Sequence, residues 1–205
     1  YFEGANQVAE VFLNGVSLGT HVGGYTAFAF ELTPHIRCDA RNVLAVRVDN
    51  RHDLDIPPLD ADFTFYGGIY RNAWLIATDP LHIDVLDHAS PGIFVDTPRI
   101  DDDQAVVRVR GTLINASAQA REARVEHRIL DPQGGEVARL QSRLRIGAGA
   151  RAPFTIESAP LPTPQLWSPE TPRLYRMETR VLGGDAVLDR VDERFGMRWF
   201  GFDPD

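Results

Sequence analysis

Regular alternation of apolar and charged residues is the feature that most restricts how this 205-residue chain can fold. Residues 123–130 place Ala, Val, His and Ile on one side and Arg and Glu on the other. Residues 138–146 and 175–181 repeat the pattern. A period of two is that of a β-strand, whereas the 3.6-residue period of helices is nearly absent. The sequence therefore predicts antiparallel sheets that are covered on one face.

Turn sequences separate the predicted strands, and they suggest how the chain is divided. Many short strands joined by such turns are typical of β-sandwiches. Asp79-Pro80 interrupts the pattern directly after an apolar strand predicted over residues 73–77, which places a boundary near residue 80. We predict two domains, residues 1–79 and 80–198. The second has room for about seven strands, as in an immunoglobulin-like sandwich, whereas the first has only four or five and is expected to be N-terminally truncated.

Charge and composition exclude several classes of protein. A formal net charge of −8 argues against a nucleic-acid partner, because such proteins cluster cations against phosphates. No apolar run reaches the roughly 18 residues that span a membrane. The single cysteine, Cys38, excludes an internal disulfide, and we expect it to be a small apolar side chain of the interior. Nothing in the sequence assigns a compartment.

An ordered set of short motifs goes beyond fold class. Asn14-Gly15 forms a predicted hairpin turn, Gly23-Gly24-Tyr25 follows, residues 42–50 form an Asn-x-Leu-Ala-Val strand, and residues 67–71 read Gly-Gly-Ile-Tyr-Arg. In this order they resemble the sugar-binding jelly-roll domain of glycoside hydrolase family 2. Residues 166–175 and the closing strand 194–198 are similar to the immunoglobulin-like domain that follows in that family. The resemblance covers essentially the whole chain.

The resemblance implies an all-β fold of two antiparallel β-sandwiches, a truncated galactose-binding-like jelly roll followed by an immunoglobulin-like sandwich. In the family a TIM barrel comes next, so residues 199–205 are expected to begin the linker to it. The barrel carries the two catalytic glutamates of a retaining mechanism, which stand about 5 Å apart. We therefore expect no catalytic residue in this chain, and no activity from the chain alone.

The resemblance further implies the accessory region of an exo-glycosidase that hydrolyses terminal β-glycosides. A β-galactosidase is our first expectation, and β-glucuronidase and β-mannosidase remain alternatives. Expected partners are the β-glycoside substrate and the enzyme's own barrel, and a homo-oligomer stays open. A free-standing carbohydrate-binding module is an alternative of another class, and a structural or adhesive sandwich is a third.

Asp62 is the leading candidate for a substrate-binding residue. It stands six residues before Gly68, where similar β-galactosidases carry an aspartate that contacts a sugar hydroxyl and a monovalent cation. This resemblance makes Asp62 a candidate metal ligand in the full enzyme, and no other cofactor is expected. The alternative is a loop carboxylate that caps a backbone amide. Asp60 is a weaker candidate in the same loop.

Three more residues of this region have open roles. His52 can line the mouth of the loop or lie in a solvated turn. Tyr66 can stack on a sugar ring or pack in the core. Arg71 is expected to form a buried ion pair rather than touch substrate.

Overall fold

The computed structural model describes residues 1–60 and 62–201. Within them every regular element is a strand, and every strand pairing is antiparallel. The chain divides into two units, one of Tyr1–Ala77 with Val85–Ser90, the other of Thr78–Asp84 with the chain from Pro91 onward. The predicted linker extends past Gly201, and its residues 202–205 lie outside the described part.

The first unit has five strands in its described residues. They are β1 (Ala5–Asn6), β2 (Val8–Leu13), β3 (Val16–Val22), β4 (Leu44–Asp49) and β5 (Gly68–Ile69). β2 lies between β3 and β4, and β1 pairs with β5. The β2–β3 hairpin turns at Asn14 and Gly15, whose φ angles of 53° and 85° are the left-handed pair that a two-residue hairpin needs. The Asn-Gly motif thus fixes this register.

The second unit is a sandwich of two sheets. Its strands are β6 (Leu81–Ile83), β7 (Ile93–Ile100), β8 (Gln104–Asn115), β9 (Arg121–Leu130), β10 (Glu136–Ile146), β11 (Arg151–Glu157), β12 (Leu161–Pro162), β13 (Tyr175–Gly183) and β14 (Ala186–Phe195). One sheet has the order β10-β9-β13-β14, and in the other β6, β7, β11 and β12 all pair with β8. Seven strands are seven or more residues long, and β6 and β12 are short.

The alternation seen in the sequence accounts for the core of the second unit. On β9 the inward side chains of Ala123, Val125, His127 and Ile129 are all buried, and their charged neighbours are not. Leu113, Met177 and Met197 are fully buried in the same cluster. The prediction of an all-β, antiparallel fold is confirmed.

Two local expectations are wrong. Residues 73–77 form no continuous strand: Ala73 makes one bridge with Phe2, and the side chains of Trp74, Leu75 and Ile76 are exposed. Apolar composition predicted a strand. A strand needs a neighbouring backbone to pair with, and among the described residues only the first residues of the chain pair with this segment. Cys38 is exposed, because it lies in the irregular segment between β3 and β4.

No helix that could span a membrane occurs among the residues described.

Candidate functional site

The β4–β5 loop (residues 50–67) contains all four candidate site residues. Hydrogen bonds between side chains and backbone groups hold its first part. The amide of Arg51 donates to Asp49 Oδ1 at 3.0 Å, and the Arg51 guanidinium lies 2.6 Å from Asp49 Oδ2. This arginine holds the pKa of Asp49 below its usual value. The side chain of Gln7 donates to the Arg51 carbonyl at 2.5 Å. β2 and its preceding residue thus fix where the loop begins.

The end of the loop is fixed by a buried amide side chain. Asn6 is 5% exposed, and its Nδ2 donates to the carbonyl of Tyr66 at 2.9 Å. One residue later a Cβ on Gly67 would come within 2.5 Å of Asn50 Nδ2, so only glycine fits there without a shift. Gly68 then pairs with Asn6 in the β1–β5 ladder. Both ends of the loop are therefore anchored on the residues around β1.

The Gly-Gly-Tyr turn meets the same anchor. A Cβ on Gly24 would lie 2.5 Å from Asn6 Oδ1, and the hydroxyl of Tyr70 donates to the Gly24 carbonyl at 2.7 Å. The rings of Tyr25 and Tyr70 lie 6.0 Å apart between centroids. The two glycine motifs, 43 positions apart in sequence, both reach Asn6: Gly24 approaches its Oδ1 closely, and Gly68 pairs with it in the β1–β5 ladder.

The middle of the loop projects charged and aromatic groups into solvent. Asp60, Asp62, Phe63 and Tyr66 are exposed, the last by 74%. The rings of Phe63 and Phe65 lie 5.1 Å apart. A carboxylate accepts hydrogen bonds from hydroxyl groups, and an aromatic face packs against apolar C–H groups, so the loop has both chemistries that a sugar requires.

The structure distinguishes the carboxylates of this loop by their contacts. Asp53 accepts the amide of Asp55 at 2.9 Å, and Asp49 accepts that of Arg51. Neither Asp60 nor Asp62 makes a hydrogen bond or ion pair with another described residue. Among the described residues, contacts of the capping kind are thus made by Asp53 of the loop and by Asp49 at the end of β4, and not by Asp62.

The remaining candidates lie in the same loop but differ in engagement. His52 is exposed near the loop's beginning. Tyr66 contributes its backbone carbonyl to the anchor, and its side chain is exposed, so it does not pack in the core of the described chain. The buried ion pair expected for Arg71 is wrong, because this side chain is exposed and its guanidinium lies 5.7 Å from the centroid of the Tyr70 ring.

A cation site does not follow from this chain's own donors. Among the described residues no three His, Cys, Asp or Glu side chains converge as metal ligands. Asp62 alone supplies one carboxylate, whereas protein cation sites combine several oxygen ligands. The described residues of the loop by themselves do not fit a cation.

Sequence reasoning missed the residues that position the loop, namely Asn6, Gln7 and Asn50. Polar residues beside short strands have many uses, so their identity alone carried no signal. The signal was indirect: glycines such as Gly24 and Gly67 mark a close approach by another group. That group can be identified only once the chain is folded.

Comparison with known proteins gives the family. Residues 88–198 match the family model described as glycosyl hydrolases family 2. The chain is 37% identical over 204 residues to the β-galactosidase BoGH2A of Bacteroides ovatus, covering 98% of this chain and 22% of that protein. It is 36% identical over 210 residues to a β-glucuronidase of Bacteroides fragilis, covering 100% and 29%.

A solved structure agrees. The crystal structure of Bacteroides uniformis β-glucuronidase matches with a TM-score of 0.92 and 39% identity, over 100% of this chain and 24% of that one. The chain thus spans about a quarter of the length of these relatives. With the family model matching more than half of its residues, the chain belongs to glycosyl hydrolase family 2.

Proposed function

We propose that the chain is the accessory β-sandwich region of a longer exo-glycosidase, in which the β4–β5 loop forms part of the active-site rim. The observation that carries the proposal is Asp62, an exposed carboxylate without a partner among the described residues, in a loop anchored at both ends. A group that needs no structural partner and is held in place by its surroundings is suited to bind a ligand.

The proposed chemistry is hydrogen bonding to a sugar hydroxyl by the Asp62 carboxylate. An ionised acceptor binds a hydroxyl more strongly than a neutral one does, and a hydrogen bond to a charged group contributes about 1.5–3 kcal/mol. Tyr66 and Phe63 supply aromatic surface beside it. Asp60, two residues before Asp62, and His52, next to the anchored Arg51, have weaker roles in this proposal.

Bond cleavage is assigned to the rest of the longer protein. A retaining glycosidase needs an acid/base and a nucleophilic carboxylate about 5 Å apart. In this proposal both belong to the part of the polypeptide that these 205 residues do not include, and the present chain alone turns over no glycoside.

Two candidate sugars are proposed, in order of preference. Terminal β-galactosides are the first candidate, supported by the 37% identity to the Bacteroides ovatus β-galactosidase. Terminal β-glucuronides are the second, supported by the 39% identity to the Bacteroides uniformis β-glucuronidase over the whole chain. The longer enzyme should be assayed with aryl β-galactosides and aryl β-glucuronides side by side; hydrolysis of neither would overturn the proposal.

Asp62→Ala in the longer enzyme tests the role of the loop. Loss of a charge-assisted hydrogen bond made in the transition state should lower kcat/KM roughly 10- to 150-fold. Asp60→Ala is the matched control, because it removes the same group from the same exposed loop, and it should do much less. Equal and small effects of the two substitutions would contradict the assignment of Asp62.

A further inference from the structure

The outer face of the β10-β9-β13-β14 sheet is rich in arginine. Strand alternation directs the apolar side chains of this sheet inward, so the charged ones share the outer side. The face carries nine arginines and five carboxylates, a formal excess of four positive charges on a chain whose formal net charge is −8. We call it the arginine face, and its members are Arg124, Arg128, Arg139, Arg143, Arg145, Arg176, Arg180, Arg190, Arg194, Glu122, Glu126, Glu136, Glu178 and Asp192.

Arginines stand directly opposite one another on this face. Like charges in directly opposed cross-strand positions destabilise a sheet, so such pairs are unfavourable for folding alone. The register nevertheless contains four of them, Arg139↔Arg128, Arg143↔Arg124, Arg176↔Arg194 and Arg180↔Arg190.

Carboxylates offset part of this repulsion. Glu136 lies 2.7 Å from Arg128 and 3.0 Å from Arg139, and the two arginines lower its pKa to about 2. The buried Glu178 pairs with Arg128 at 2.7 Å and with Arg176 at 2.9 Å. The Arg139↔Arg128 pair is therefore neutralised within the protein itself.

The other three opposed pairs are not neutralised in this way. In each pair one member, namely Arg143, Arg180 or Arg194, makes no ion pair within 4 Å and no side-chain hydrogen bond with any described residue, although Arg180 faces Glu126 across β9 and β13 and its charge helps to lower the pKa of Asp192. Their opposite neighbours Arg124 and Arg190 are engaged with Glu126 at 3.1 Å and Asp192 at 2.6 Å. Each opposed pair thus contains a guanidinium with donors to spare, next to a second cation.

This arrangement is suited to bind carboxylates from outside. Directly opposed residues have Cβ atoms about 4.5–5.5 Å apart, so two guanidinium groups can reach one anion. Guanidinium groups bind carboxylates in bidentate geometry and are weakly hydrated, which favours such contacts. The pairs lie on two couples of adjacent strands, β10 with β9 and β13 with β14, which provides several anion positions on one surface.

We propose that the arginine face binds a carboxylate-bearing polysaccharide, a polyuronate, and so holds polymeric substrate near the enzyme. Charge complementarity carries the choice of a polyanion, and the choice of a polysaccharide rests on the proposed function. A polyuronate presents one carboxylate on each sugar, so a polymer lying across the face brings several carboxylates to these arginine pairs. The rest of the chain carries a formal charge of −12, because the whole is −8 and the face is +4. This negative charge disfavours a polyanion of higher charge density, such as duplex DNA.

The test compares two triple variants of the 205-residue chain that change its net charge equally. Arg143→Gln/Arg180→Gln/Arg194→Gln removes one arginine from each of the three opposed pairs, and the control Arg37→Gln/Arg41→Gln/Arg173→Gln removes three exposed arginines elsewhere. Binding is measured on immobilised polygalacturonate at low and high ionic strength, with dextran and duplex DNA as competing probes. The wild-type chain should bind polygalacturonate at low ionic strength and release it at high ionic strength. Dextran, which is uncharged, should not compete.

The face variant should bind about tenfold more weakly, and the control should stay within about twofold of the wild type. The substitutions relieve three opposed like-charge pairs, whereas Arg180→Gln also removes the attraction to Glu126, so the face variant should unfold at a denaturant concentration close to that of the wild type. Unfolding is measured beside binding so that weaker binding by a folded variant is distinguished from misfolding. No binding by the wild type, equal loss in both variants, or equally tight binding of duplex DNA would each overturn the inference. Hydrolysis of small aryl glycosides by the longer enzyme needs no polymer, so this inference can fail while the proposed function stands.

Discussion

The two units of the chain use the same strand pattern but cover it to different extents. The second unit buries 18 apolar residues in one cluster, whereas the main cluster of the first buries five. Among the described residues, 17 of the large apolar side chains that are exposed belong to the first unit and five to the second. Alternation therefore specifies a strand, but only a second sheet makes the apolar side of that strand a core.

Individual strands show where the difference arises. Every inward residue of β9 is buried between two sheets, whereas on β4 Leu44 is 49% exposed. Since each buried Å² of apolar surface contributes about 25 cal/mol, the second unit has the larger driving force for folding. The first unit keeps the anchored loop, so we expect the site to lie on the less stable of the two units.

Leucine-to-alanine substitutions should separate the two units most clearly. Leu113→Ala, at a fully buried position of β8, should cost about 2–5 kcal/mol because it leaves a cavity. Leu75→Ala, at a position that is 77% exposed in the first unit, should change the free energy of unfolding by less than about 0.5 kcal/mol. Urea unfolding that is monitored by hydrogen-exchange mass spectrometry reports on each unit by itself.

Similar losses in the two variants would contradict this comparison, because they would mean that Leu75 is covered in solution.

Acid should weaken the second unit through His127. Burial lowers the pKa of this histidine to about 4, and its Nδ1 lies 2.9 Å from Thr179 Oγ1. Between the unfolded value of about 6.5 and this folded value, the unfolded chain binds the proton more readily. Stability should therefore fall as the pH drops from 6.5 to 4, by about 3 kcal/mol at the lower end.

His127→Asn removes the titration while it keeps a polar partner for Thr179. The variant has its own stability at neutral pH, so the measured quantity is the slope of the unfolding free energy against pH between 6.5 and 4. The wild type should show the steeper slope. Parallel slopes would mean that His127 is protonated in the folded state at the same pH as in the unfolded chain.

The sequence was sufficient for the features that depend on local pattern. Alternation on β9, β10 and β13 predicted both the strands and their inward faces, and Asn14-Gly15 predicted the hairpin. These succeed because side-chain period and turn geometry are properties of neighbouring residues. The ordered glycine motifs likewise pointed to the family, which the comparisons confirm.

The misses concern contacts between residues far apart in the chain. Asn6 supports a carbonyl 60 positions away, and no pattern near Asn6 indicates this. Trp74, Leu75 and Ile76 read as a buried strand, yet they are exposed because no described strand pairs along them. The sequence also gave four site residues on one loop, and their roles remain predictions.

Asn6 offers a prediction of intermediate size. Asn6→Ala leaves the Tyr66 carbonyl without its donor in a part-buried position, which should destabilise the first unit by about 1–3 kcal/mol. Hydrogen exchange should quicken in residues 62–70 and stay unchanged in the second unit. Asn72→Ala, an exposed asparagine of the same unit, is the matched control. Unchanged exchange in Asn6→Ala would show that the loop does not depend on this anchor.

The smallest effect compares two aspartates of the β4–β5 loop. Asp53→Ala removes the acceptor of the Asp55 amide and should cost about 0.5–1.5 kcal/mol, the usual net value of one hydrogen bond. Asp62→Ala removes no contact with a described residue and should cost less than about 0.5 kcal/mol. Catalysis in the longer enzyme should show the reverse order, because only Asp62 is proposed to meet the sugar. If Asp62→Ala instead destabilised the first unit more than Asp53→Ala, the Asp62 carboxylate would have a structural partner, and its assignment to the substrate would fail with it.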